Sequence, residues 1–140
     1  TTSSYPFFSE FEVKPSSAIK ELLNAGVPAG HITMTSDGNG SLPHFNEKGE
    51  LVQLEMGQPK TIFSEMLDAV VQEKLPLEMA IRVVTSNVAE ILKLKSKGRI
   101  RTGSDADILI LDKNYAIQDV FAGGIQMVAG SRAILKGTYE

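Results

Sequence analysis

The sequence predicts a mixed α/β chain in which one strand and a run of helices precede antiparallel β structure. The β-branched, period-two run His31-Ile32-Thr33-Met34-Thr35 reads as a strand. Residues 60–97 carry apolar side chains at helical spacing: Ile62, Met66 and Val70 recur at i, i+4 and i+8, beside a second row of Phe63, Leu67 and Val71. Beyond Gly98, apolar runs alternate with Gly-Gly and Gly-Ser breaks, the spacing of tight hairpins.

Taken in order, residues 1–59 are rich in Ser, Thr, Gly and Pro. Within them Pro15-Ser16-Ser17 opens a short helix with Ile19, Leu22 and Leu23 on one face, and Gly26 supplies its left-handed stop. The strand at 31–35 ends at Asp37-Gly38-Asn39-Gly40-Ser41, because two glycines and an Asn-Gly pair do not continue a strand. From there to Lys60 the sequence has no period and reads as a long loop, a feature that in compact domains is functional or disordered. Pro76 suits the first turn of a helix over Leu77 to Val84. Asn87, with Glu90 three residues on, resembles a capping pair for a third short helix through Leu94. Ile108-Leu109-Ile110-Leu111 is a continuous apolar run, as in a strand covered on both faces. Two further strands flank Gly123-Gly124, and another break falls at Gly130-Ser131. The strand at 31–35 has no partner in the first two zones. It either pairs with the late strands or its partners lie outside this chain.

Composition narrows the function classes. A length of 140 residues, 42% hydrophobic and 22% charged, is that of one ordinary soluble domain. The net charge of −3 lacks the basic excess of a nucleic-acid surface. Without cysteine there is no disulfide framework, thiolate-held metal or thiol nucleophile. Two histidines cannot build a three-His zinc site from this chain alone. No apolar run approaches the ~20 residues of a membrane span, and the Thr-rich start lacks a signal peptide's basic and apolar regions. A cytoplasmic location without membrane attachment is expected.

Asp37 is the principal candidate for chemistry. An acid just past the carboxyl end of a strand, followed by Gly-Asn-Gly, sits where α/β barrels place catalytic groups. Its alternative is an Asx turn, in which the carboxylate hydrogen-bonds its own backbone. The glycines do not make a phosphate loop, because the GxxxxGK[ST] spacing and its lysine are missing. Ser41 could cap the loop or bind a substrate carboxylate; it has no His–acid pair in range that would make it a nucleophile. His31 and His44 form no HxH or HExxH pair and read as surface or capping residues. Arg99 and Arg101 suit an exposed turn as well as an anion site. Asp105, Asp107 and Asp112 bracket the apolar strand without calcium-loop spacing. The methionines read as core filler.

Two stretches together resemble the C-terminal part of a metal-dependent amidohydrolase. Thr85-Ser86-Asn87-Val88-Ala89-Glu90-Ile91-Leu92, running into Gly98-Arg99-Ile100-Arg101-Thr102-Gly103-Ser104-Asp105-Ala106-Asp107 and Ile108 to Asp112, is similar to the family's helix, G-x-I-x-x-G-x-x-A-D turn and returning strand. A proline commonly stands in the family where this chain has Val88. Thr35-Ser36-Asp37-Gly38-Asn39-Gly40-Ser41 resembles the eighth barrel strand of isoaspartyl dipeptidases, and Ile134 to Glu140 resembles their ending.

The resemblance implies an α/β fold made of the last strand–helix portion of an amidohydrolase (β/α)8 barrel (residues 1–97), followed by antiparallel strands of the small β domain (98–140). It implies hydrolysis of β-aspartyl dipeptides at a binuclear zinc centre. Asp37 matches the acid that ligates one metal and shuttles a proton from water to the leaving amine; Ser41 matches the serine that contacts the substrate's α-carboxylate. The remaining ligands, an HxH pair, a bridging carboxylate and two later histidines, belong to earlier strands. Thr1-Thr2-Ser3-Ser4 resembles the end of strand seven. The chain is therefore expected to begin late in the barrel, to be inactive alone and to bind zinc weakly or not at all by itself. Other expectations compete: a cyclic-amide hydrolase of dihydroorotase or hydantoinase type, or an assembly module without catalysis. Exposed strand edges favour pairing with another chain, so a homo-oligomer is expected.

Overall fold

The computed structural model describes residues 13–135. They divide into two compact units after Asn87. The residues resembling the end of strand seven, and most of the C-terminal ending, lie outside the described residues.

In the first unit, helix α1 spans Pro15–Asn24. Pro15 stands at its start, where the missing N–H would have no partner in any case. The next amide, Ser16 N, donates to the Glu65 carboxylate at 3.2 Å. Glu65 is buried, and the positive end of the helix compensates its charge. The helix ends as expected. Gly26 takes φ +84°, while its N–H and that of Val27 return to Leu23 O and Leu22 O, each at 3.0 Å, a Schellman closure.

Residues 29–31 form one 3-10 turn, and 32–36 run on without joining any sheet. Here the expected strand at 31–35 is corrected. Its period-two pattern does describe the side chains, since Ile32 is buried and Met34 partly so while Thr33 and Thr35 face solvent. A sheet also needs a neighbouring backbone, and none pairs with it among the described residues. Helices cover its apolar side instead. Ile32 packs with Ile19 and Val83, and Met34 N donates to Val83 O at 3.3 Å.

The long loop expected up to Lys60 is also corrected. Strands β1 (Ser41–Phe45) and β2 (Leu51–Met56) form an antiparallel hairpin. Pro43 removes a ladder donor, which an edge strand tolerates, and its presence disguises β1 in the sequence. The Asn46 side chain closes the turn by accepting from Lys48 N at 2.9 Å and Glu50 N at 3.0 Å.

Helices α2 (Thr61–Val71) and α3 (Leu77–Val84) follow the predicted periodicity. Met66, Ala69 and Ala80 form their shared core, with Phe63, Leu67, Val70 and Ile81 packed around it. Polar contacts tie α1 to the α2 end of the unit: Lys14 pairs with Asp68, and Glu73 accepts from Ser17 Oγ at 2.7 Å and Lys20 Nζ at 3.2 Å. Helix α4 covers Ser86–Ile91, stopping short of Leu94. The capping role expected of Asn87 is not what the structure shows, because its side chain is committed to the 29–32 segment.

The second unit is a four-stranded antiparallel meander of β3 (Ile108–Leu111), β4 (Ile117–Ala122), β5 (Ile125–Ala129) and β6 (Arg132–Ala133), in sequence order. Gly123 (φ +57°) with Gly124 (φ +81°), and Gly130 (φ +53°) with Ser131 (φ +65°), give the two-residue left-handed turns that match strand twist. The expectation that β3 is covered on both faces is corrected: Leu109 and Ile110 are 43% and 44% exposed. An antiparallel strand can keep an apolar run while facing solvent when nothing in its own unit covers it.

Candidate functional site

Asp37 stands at the exit of the extended segment 32–36, at the end of a cleft of about 230 Å³. One wall of the cleft is α1, through Pro15, Ala18, Ile19 and Leu22; the other is the backbone run 32–35. The aspartate is exposed and takes φ +49°, a left-handed conformation that few non-glycine residues adopt and that is met at functional sites. Its amide donates to Thr35 Oγ1 at 3.3 Å. A β-turn follows, closed by Gly40 N donating to Asp37 O at 2.9 Å, with Asn39 also left-handed at φ +65°.

The alternative of an Asx turn is not realised. The turn closes through the main-chain oxygen of Asp37, and its carboxylate accepts no hydrogen bond among the described residues. The contrast with Asp112 is direct: that carboxylate accepts from both Asn114 N and Ala116 N at 2.8 Å. The Asp37 carboxylate thus stands at the exit of the extended segment, close to Gly40, and its oxygens remain available to a ligand.

Ser41 follows the turn as the first residue of β1, exposed and opposite Met56. The two predicted site residues thus stand at either side of one turn, Asp37 lining the cleft and Ser41 outside its lining. The histidines do not join them. His31 is exposed in the 3-10 turn, and His44 faces Glu55 across the hairpin with Nε2 3.8 Å from Oε2. Among the described residues, no three His, Cys, Asp or Glu side chains gather as a metal site requires. Asp37 offers one hard oxygen ligand, which fits a divalent metal, but the chain's described donors do not complete a site.

In the second unit the remaining candidates have structural partners. Lys97 bridges Asp105, at 3.0 Å, and Asp107. Hydrogen bonds from Lys97, seconded by Ser96 at Asp105 and by Gly123 N at Asp107, hold both carboxyls below the usual carboxylate range, and the same two acids raise the Lys97 ammonium. Arg99 pairs with Glu90, and Arg101 binds Lys95 O and Ser104. These are turn-forming contacts. No helix of the described residues is long and apolar enough to cross a membrane.

A residue that the sequence reading placed elsewhere supports the site from behind. Asn87 is fully buried, and its Nδ2 donates to Ala29 O at 2.6 Å and to Ile32 O at 2.8 Å. It pins the start of the segment that ends at Asp37. Its place beside Glu90 gave a plausible helix cap, so only tertiary structure reveals this bond.

Comparison with known proteins places this geometry in context. The chain matches the Amidohydrolase family over residues 3–134. It is 30% identical over 94 residues to a 5-methylthioadenosine/S-adenosylhomocysteine deaminase of Bacillus cytotoxicus, a match covering 67% of this chain and 19% of that protein. Its structure resembles the β-aspartyl dipeptidase of Fervidobacterium islandicum in complex with β-Asp-Leu dipeptide, with a TM-score of 0.81 and 28% identity, over 98% of this chain and 35% of that one. The fold is shared further with N-acetylglucosamine-6-phosphate deacetylase of Pasteurella multocida, at a TM-score of 0.61 and 13% identity, over 84% of this chain and 35% of that one. The chain thus spans about a third of these solved relatives and a fifth of the deaminase.

Proposed function

The chain belongs to the amidohydrolase family, and from that premise we propose that the full-length protein hydrolyses β-aspartyl dipeptides, with Asp37 as proton carrier and metal ligand and Ser41 as substrate contact. The observation that carries the reading is the likeness to a β-aspartyl dipeptidase over nearly the whole chain, combined with an exposed Asp37 at the exit of the extended segment whose carboxylate is committed to no hydrogen bond among the described residues. In this reading residues 1–97 are the closing portion of a barrel and 98–140 belong to a small β domain.

Hydrolysis of an amide needs a base to take a proton from water and an acid to return one to the leaving nitrogen. One Asp37 carboxylate oxygen does both in turn. It accepts the proton as water adds to the amide carbon, then donates it to the amine nitrogen as the C–N bond breaks. The left-handed turn fixes the backbone from which the carboxylate acts, and the exposed Ser41 hydroxyl donates a hydrogen bond to the dipeptide's α-carboxylate. Two metal ions, zinc by resemblance, supply acidification of the water when bound. Asp37 is the ligand this chain contributes, and the other ligands come from preceding barrel strands.

The test is a substrate panel for the purified full-length protein: β-Asp-Leu, α-Asp-Leu, dihydroorotate, hydantoin and S-adenosylhomocysteine. A kcat/KM for β-Asp-Leu about 10²-fold or more above the others is expected, since a site built around a substrate's polar groups strongly rejects analogues that lack them. Preference for a cyclic amide or for deamination of the nucleoside overturns the dipeptidase reading while leaving the family intact.

A further inference from the structure

We infer that Gly57 is a positioning residue for Asp37: its lack of a side chain lets the end of the hairpin lie directly against the Asp37 carbonyl and so fixes the turn that presents the carboxylate. The role in catalysis rests on the proposed function; the placement of Asp37 does not.

Gly57 follows β2 and is buried. A Cβ added there would lie 2.2 Å from Asp37 O, 3.0 Å from Asp37 C and 3.4 Å from Ser36 O. All three are backbone atoms, so no side-chain rotation relieves the overlap. Hydrogen bonds lock the same contact. Gly57 N donates to Gly40 O and Asn39 N donates to Gly57 O, each at 2.9 Å. The hairpin is thereby tied to both central features of the turn, the left-handed Asn39 and the closing Gly40. Gly40 meets the same turn from the other side, because a Cβ there would lie 2.9 Å from the backbone Asp37 O as well as 2.8 Å from Asp37 Cγ and Oδ1.

Glycine serves here for space, not for conformation. Gly57 is absent from the glycines with positive φ, whereas Gly49 at the hairpin tip has φ +76° and nothing within 4 Å of an added Cβ. The two glycines of one hairpin therefore separate the two roles. Alanine at 49 strains the backbone in open space, and alanine at 57 meets the candidate catalytic residue. Relieving the overlap at 57 requires the Asp37 backbone to move by roughly 1 Å, a misplacement that can cost on the order of 10²-fold in rate.

The experiment compares Gly57→Ala, Gly40→Ala and Gly49→Ala in the full-length protein, measuring kcat and KM on β-Asp-Leu, melting temperature and metal content. Gly57→Ala is expected to lose about 10²-fold in kcat with its metal content and fold retained, whereas Gly49→Ala melts earlier with kcat within about threefold of the parent. Parental kcat in Gly57→Ala, or an equal kcat loss in Gly49→Ala, overturns the inference. Should Gly57→Ala not fold, Gly40→Ala takes its place: a loss of at least about tenfold in kcat supports the inference and parental kcat overturns it. Should the parent not cleave β-Asp-Leu, the dipeptidase reading fails separately. A crystal structure of Gly57→Ala, or of Gly40→Ala where Gly57→Ala does not fold, then decides the matter: displacement of Asp37 supports positioning and an unmoved Asp37 overturns it.

Discussion

The Asn87 amide donates to two carbonyls, Ile32 O and Ala29 O, the second of which also accepts from Ile32 N at 3.4 Å. Ala29 and Ile32 lie where a 3-10 turn passes into extended chain, and a buried carbonyl without a donor costs about 1–3 kcal/mol. Truncation leaves Ile32 O without its Asn87 donor while Ala29 O keeps Ile32 N, so Asn87→Ala is expected to destabilise the first unit by about 1–3 kcal/mol, read as an earlier chemical-denaturation midpoint. Asn87→Ala at parental stability would show that the two bonds contribute nothing net. Asp37 and Ser41 could be singled out as candidates because residue type, a Gly-rich turn and family resemblance coincide on one short motif. Asn87 and Gly57 could not. The helical sequence around Asn87 satisfies a capping pattern, and a contact between Gly57 and Asp37, twenty residues apart, leaves no trace in either neighbourhood.

At the level of elements, helices were read well because their boundaries are local chemistry. Pro15 starts α1, the Gly26 closure ends it, and α3 covers the predicted Leu77–Val84. Strands depend on partners that local sequence does not name. The 31–35 run has the right alternation and no neighbour to pair with among the described residues, whereas the hairpin 41–56 pairs despite Pro43 and an irregular pattern. The turn before β3 carries its own pH signature. Asp105 and Asp107 have lowered folded values, so their contribution is present above the ordinary carboxylate range and is lost as pH falls through those lowered values. Lys97 is raised, so its contribution is present below the ordinary lysine range and is lost only as pH rises through the raised value. Amide exchange protection in residues 96–107 is expected to hold across the neutral range and to fall at both extremes. Because all three groups are exposed, the effect is small and screened by salt. Lys97→Met should flatten both limbs; unchanged limbs in that variant would remove the ion triad as their cause.

At the scale of the whole chain, each unit leaves apolar surface uncovered. In the first, Phe45, Val52, Leu54 and Met56 of the hairpin are each more than half exposed; in the second, Ile125 is 60% exposed and Leu109 and Ile110 over 40%. Clustered apolar surface and open strand edges promote association, so the 140-residue chain is expected to self-associate, and a light-scattering mass equal to one chain would contradict this. The same chain should show no hydrolysis of β-Asp-Leu with added zinc, because Asp37 by itself is one ligand of a site that needs several. Hydrolysis by that preparation would mean that the chain holds a complete centre.

The most direct measurement is kcat of full-length Asp37→Asn on β-Asp-Leu. The amide keeps the size of the side chain but cannot accept and return a proton, so kcat is expected to fall by about 10²–10⁴-fold with the melting curve preserved. A folded Asp37→Asn protein retaining parental kcat would contradict the role assigned to this acid.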